Sequence, residues 1–175
     1  MTIADLYCPL DVAEAYDAWK ATCGPVAVAA VLRRPVESVR ELFPDFQGWV
    51  NFTGVANALN RAGASWHATK KTLGQAAAPE YGLALIQWCG PWLDPGVPIG
   101  AAYRHTHWVG LARVGDGRMV YDINADGWIA RDLWLAKWKP QLVAAQRGAT
   151  GGFWLRFGIE VLHVPEEKTH GMPRL

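Results

Sequence analysis

Three side chains in this 175-residue sequence are of types that together perform nucleophilic acyl transfer: Cys23, His107 and Asp122. Such chemistry needs a sulfur that is easily deprotonated, an imidazole to hold the proton, and a polar group to orient the imidazole. Cys23 stands at the start of the apolar run Val26 to Leu32, with Thr22 as a usable helix cap and Pro25 in the first turn. A cysteine there sits among unpaired N–H groups at the positive end of the helix dipole, and both favour thiolate over thiol.

His107 opens the apolar stretch His107-Trp108-Val109-Gly110-Leu111, and Asp122 closes Val120-Tyr121-Asp122. Between them lies Gly115-Asp116-Gly117, a tight-turn signal. A hairpin with that turn brings His107 and Asp122 to the same end. Asn124 is the second choice for the orienting group, since it shares the two-residue period with Asp122 and an amide also serves. Asp126, followed by glycine, reads as a turn residue. His105 shares the two-residue period with His107 and is the rival base. His105, His107 and Asp122 could instead chelate a metal, but that reading leaves Cys23 without a role. No metal and no cofactor are expected. His67, His163 and His170 lack such context and are expected at the surface.

The three cysteines cannot all pair with one another, so at least one thiol is free. Cys89-Gly90-Pro91-Trp92 approaches a dithiol redox motif, but position 92 is tryptophan and the chemistry needs a second cysteine. Cys89 and Cys8 are therefore read as structural.

The residues Thr22-Cys23-Gly24-Pro25-Val26-Ala27, His107-Trp108-Val109-Gly110 and Tyr121-Asp122, in that order, resemble the active-site segments of papain-like cysteine peptidases. The similarity is closest to the branch of bacteriocin-leader peptidases and related phage and bacterial proteins. Leu93 to Ile99 is similar to the turn and strand that precede the histidine strand there. The resemblance implies a papain-like α+β fold, with Cys23 as nucleophile, His107 as general base and Asp122 as the orienting residue. It also implies cleavage of a peptide or amide bond through a thioester. One position departs from the pattern. Those enzymes carry a glutamine about six residues before the cysteine, where its side chain binds the oxyanion, and Asp17 stands here instead. Lys20, Thr22, Trp19 or the Cys23 N–H are the alternative donors. Two function classes stay open: a cysteine hydrolase, and a weakly active or inactive member of the fold serving as a structural or binding component, such as part of a phage particle. A cell-wall amidase is a variant of the first.

The surrounding elements must hold these groups in place. Helices are expected from Thr22, over Pro35–Phe43 (Val36, Val39 and Leu42 inward), after a Thr53 cap up to Gly63, over Glu80–Trp88 and over Arg131–Lys139. Strands are expected over Ser65–Thr72, Val97–Tyr103, His105–Val114, Arg118–Ile123 and Phe153–Val164. Helices first and an antiparallel sheet after point to an α+β domain over residues 1–164, with a polar, extended tail from Pro165. Thr22 and Gly24 flank the nucleophile. Trp19, Trp49, Trp108 and Trp128, with His105, are candidates for cleft walls, although packing is the ordinary role for most of the ten tryptophans.

Composition narrows the classes further. With 51% hydrophobic and 19% charged residues, the chain has the balance of a globular domain. A net charge of +1 with scattered Lys and Arg argues against nucleic acid as partner. No run approaches a membrane span, and residues 1–20 lack a basic, apolar export signal, so the expected location is cytoplasmic or virion-associated. The expected partner is a peptide or peptidoglycan-stem substrate, with assembly onto other proteins under the structural reading.

Overall fold

In a computed structural model, residues 1–72 and 74–165 are described. The expected extended tail and His170 lie outside the described residues, apart from Pro165. The architecture is mixed helix and antiparallel sheet. Six strands pair in the order β1-β8-β4-β5-β6-β7: β1 is Ser65–Ala68, β4 Tyr81–Trp88, β5 Thr106–Val114, β6 Gly117–Asp122, β7 Gly127–Ala130 and β8 Phe153–His163. A separate hairpin joins β2 (Lys71–Thr72) to β3 (Gln75–Ala76). The expected strand Ser65–Thr72 is thus two strands in two sheets, and the expected strand Phe153–Val164 is β8, between β1 and β4.

Helix α1 (Val12–Trp19) precedes α2 (Cys23–Leu32), the central helix. From Gly24 to Leu32 every residue of α2 is buried, as expected of a segment apolar all round. Arg33 ends the helix in the left-handed region, and the Arg33 and Arg34 N–H groups donate to Ala30 and Ala29 carbonyls, a tight cap. One face of the sheet packs on α2 through Leu83, Leu85, Trp108, Tyr121, Ile159 and Val161. The opposite face carries Ala84, Ile86, Val109, Leu111 and Val120. It is covered by Trp134, Leu135, Trp138, Leu142 and Val143 from a helical segment made of α5 (Arg131–Leu133), a π-helical stretch (Trp134–Trp138) and α6 (Lys139–Ala145).

This second layer explains the main correction. Tyr81–Trp88 was expected to be helical and is instead the strand between β5 and β8. Covered on both faces, its residues from Gly82 to Trp88 are all buried, so the alternation that marks a half-exposed strand is missing. Gly82 permits the pairing, because a Cβ there would lie 1.9 Å from the Ile159 carbonyl oxygen. The converse error is Val97–Tyr103, expected as a strand and folded as an extended turn followed by the short helix α4 (Ile99–Tyr103). Pro98 cannot continue a ladder, and Ala101 and Ala102 are good helix formers.

Smaller differences follow local chemistry. Pro35–Phe43 contains a tight 3-10 helix, Glu37–Leu42, with Val36, Val39 and Leu42 inward as expected. The Asp11 carboxylate accepts from the Val36 and Glu37 N–H groups at 2.9 and 2.8 Å and so fixes its start. Helix α3 (Phe52–Arg61) is capped by Asn51, whose Oδ1 accepts from the Gly54 N–H at 2.9 Å, and not by Thr53. Among the described residues, no helix is long and apolar enough to cross a membrane.

Candidate active site

Cys23 is the first residue of α2, where helix N–H groups have no intrahelical acceptor. Thr22 precedes it with extended backbone, and its hydroxyl donates to the Gly48 carbonyl at 3.0 Å rather than capping the helix. Gly24 makes the close approach possible. A Cβ on it would meet Val50 Cγ1 at 2.2 Å and Trp108 Cδ1 at 3.4 Å. The Trp108 indole N–H donates to the Val50 carbonyl at 2.9 Å, which ties β5 to the loop over the helix start.

His107 is the second residue of β5, and its ring is buried. Its Nε2 lies 3.0 Å from Asp122 Oδ1, and the Cys23 thiol is close enough to the imidazole for the charge of each to act on the other. With Nε2 engaged by the carboxylate, Nδ1 is the nitrogen left for sulfur. The β5–β6 pairing sets this up, because its register from Val114↔Gly117 to Gly110↔Tyr121 carries Asp122 alongside the start of β5. Asp122 is fully buried, and both of its oxygens are used. Oδ1 also receives the Asn124 backbone and side-chain N–H groups, each at 2.9 Å, and Oδ2 receives the Trp134 indole N–H at 2.7 Å.

The electrostatics follow from this contact geometry. Burial by itself would raise the Cys23 thiol, but the neighbouring His107 charge, its hydrogen bond and the Trp108 backbone N–H outweigh it and hold the thiol below its ordinary value. Burial opposes a charged His107, yet Cys23 and Asp122 together push it up to about 10. Burial likewise opposes a charged Asp122, but hydrogen bonds from His107, Trp134 and Asn124 and the imidazolium charge overcome it and hold the carboxyl down to about 2. All three shifts favour one state, a thiolate beside an imidazolium backed by a carboxylate.

Cys23 opens onto a cleft of about 750 Å³ lined by Thr22, Trp49, Val50, Asn51, Tyr103, Arg104 and Trp108, among others. Of the residues expected there, Thr22, Trp49 and Trp108 border it, and Gly24 lies buried just beneath. The others lie elsewhere. His105 precedes β5 and stacks on Trp92 (centroids 3.5 Å apart), with Nδ1 2.9 Å from Gln146 Oε1, so it joins neither His107 nor a chelate. Trp128 packs edge-on against Tyr121 and donates to the Tyr7 carbonyl at 2.8 Å. Trp19 packs edge-on against Phe46. Asn124 bonds to Asp122 and not to the histidine, and Asp126 occupies a left-handed turn position. His67 and His163 are exposed. Cys8 and Cys89 are free thiols away from the cleft, and burial pushes the Cys8 thiol up.

Asp17 is exposed on α1 and does not line the cleft. Of the alternative donors, Lys20 caps α1 with its ammonium over the Tyr16 ring, and Thr22 spends its hydroxyl on Gly48. The Trp19 indole N–H is buried without an acceptor among the described residues, but Trp19 does not line the cleft. Tyr103, Arg104 and Asn51 were missed as cleft residues. The available signals were Pro98 with the Ala101-Ala102 pair, which mark a turn and helix before His107, and the Asn51-to-Gly54 cap spacing. Comparison of the chain with family models and with curated proteins finds no match.

Proposed function

We propose that this protein is a papain-like cysteine hydrolase that cleaves a peptide or amide bond, with Cys23 as nucleophile and His107 as acid and base. One observation carries the reading: a thiol at a helix N-terminus, electrostatically coupled to a buried imidazole that a buried carboxylate holds, facing a cleft. The thiolate attacks the substrate carbonyl carbon, and the carbonyl oxygen takes the negative charge. The Cys23 N–H, in the first turn of α2 where N–H groups lack an intrahelical acceptor, is the backbone donor for that oxygen. The imidazolium gives its proton to the leaving nitrogen, the C–N bond breaks, and a thioester remains. Neutral His107 then takes a proton from water, hydroxide attacks the thioester, and the thiolate leaves beside the recharged imidazolium. Asp122 fixes the ring and stabilises its charged form throughout.

The substrate class is a peptide, including a leader peptide or a cell-wall stem peptide. A second reading, a binding or structural component of the same fold, is favoured by one feature. None of Lys20, Thr22 and Trp19 supplies the cleft with a free side-chain donor in place of the family's glutamine. Losing one such donor costs about 10²–10³ in rate. Alkylation of the native protein with iodoacetamide from pH 4 to 9, with the adduct located by mass spectrometry, separates the two. Fast, selective modification of Cys23 below pH 7, slowed in His107→Ala, is expected of the hydrolase. Labelling that rises only near ~8.5, the free-thiol value, refutes it.

A further inference from the structure

We propose that Arg104 determines specificity by binding a substrate carboxylate, from an acidic side chain or a free chain terminus, close to the bond that Cys23 attacks. The inference rests on the hydrolase reading above and adds to it a substrate class.

Arg104 borders the same cleft as Cys23, and among the described residues no Asp or Glu side chain lines it. The other described lining groups are aromatic, small or neutral, so Arg104 supplies the permanent charge facing the substrate space. Its side chain is exposed, and among the described residues no carboxylate pairs with it. Arg113 and Arg118, by contrast, share Glu80. Arg104 and Cys23 border one cleft of about 750 Å³, and a surface charge acts over about 10 Å at 0.1 M salt. A guanidinium also holds a carboxylate with two parallel hydrogen bonds, which gives direction as well as attraction.

The segment carrying Arg104 is held from behind. Gln87, fully buried in β4, donates through Nε2 to the Ala102 carbonyl at 3.0 Å and to the His105 carbonyl at 3.1 Å. The Gln87 Oε1 accepts from Arg156, whose guanidinium also lies 3.9 Å from the centroid of the Tyr103 ring. His105 is clamped between Trp92 and Gln146. Residues 102–105 are therefore fixed at both ends and underneath, which presents Arg104 from a backbone already ordered before binding. Arg156 is itself buried without a carboxylate partner among the described residues, and it lies outside the cleft lining, against the Tyr103 ring.

The test compares two small reagents of nearly equal size, in which the Cys23 thiolate sulfur displaces iodide from carbon: anionic iodoacetate and neutral iodoacetamide. The readout is the ratio of their rates at Cys23, at low ionic strength. In Arg104→Gln the ratio is expected to fall on the order of threefold to tenfold, to recover in Arg104→Lys, and to fall in the wild type as salt is added. An unchanged ratio in Arg104→Gln with Cys23 still rapidly alkylated overturns the Arg104 assignment and leaves the hydrolase reading intact. Slow alkylation by both reagents in the wild type overturns both. Four short peptides, with Glu or Gln and with a free or amidated C-terminus, then act as protectants of Cys23 and assign the carboxylate's source. Protection by the acidic forms only, lost in Arg104→Gln, supports the proposal. Equal protection by all four, or by none, overturns it.

Discussion

Replacing Asp122 by asparagine tests the electrostatic core of the site, because the change removes a charge with almost no change in shape. The carboxylate accepts from His107, from both nitrogens of Asn124 and from Trp134, at 2.7 to 3.0 Å. An asparagine offers one acceptor oxygen and one NH₂ group. Whichever way it turns, a donor faces a donor, either at Trp134 or at His107 and Asn124. In a fully buried position that costs about 1–3 kcal/mol of stability. The imidazolium also loses a charge-assisted hydrogen bond of about 1.5–3 kcal/mol. At ~1.36 kcal/mol per pH unit, His107 should titrate about one to two units lower than its wild-type value of about 10. The acid limb behaves differently. Asp122 itself opposes the Cys23 thiolate, so its removal does not raise the pH at which the thiolate forms. The assay is NMR titration of the His107 ring, with the Cys23 alkylation rate followed over the same pH range. A His107 titration still near 10 in the variant would refute the reasoning. Stability gives an independent check. Asp122 is depressed from 3.8 to about 2 in the folded protein, worth about 2 kcal/mol, a contribution present above pH 3.8 and lost as pH falls through 2. Stability measured from about pH 4 down to about pH 2 should therefore fall less steeply in the variant than in the wild type.

Trp134→Phe deletes the indole N–H on Asp122 Oδ2 while keeping most of the ring. It should lower stability by about 1–3 kcal/mol, read from urea unfolding, and raise the pH at which the acid transition begins. Gly82→Ala places a methyl group against the Ile159 carbonyl and forces β4 and β8 apart. A loss of about 3 kcal/mol, or about 6–12 °C in Tm, is expected, and a variant with an unchanged Tm would contradict the pairing of Gly82 beside Ile159.

What the sequence determined by itself was local chemistry and local geometry. Pro25 and an all-apolar run define a buried helix with Cys23 at its start, and Gly115-Asp116 between two apolar stretches turns the hairpin that sets His107 against Asp122. Both depend on short-range rules that a chain obeys wherever it lies. What only the tertiary structure decided was everything that depends on which faces are covered. Tyr81–Trp88 became a strand because the segment from Arg131 to Ala145 closes over its second face, which erases the alternation of a half-exposed strand. His105 left the site because Trp92 and Gln146 offer its ring a stack and a hydrogen bond, and Asn124 became a donor to Asp122 because β6 ends there in a turn. Arg104 reached the cleft because Gln87 and Arg156, distant in sequence, hold its segment from beneath. Such partners are brought together by packing, and no spacing along the chain encodes them.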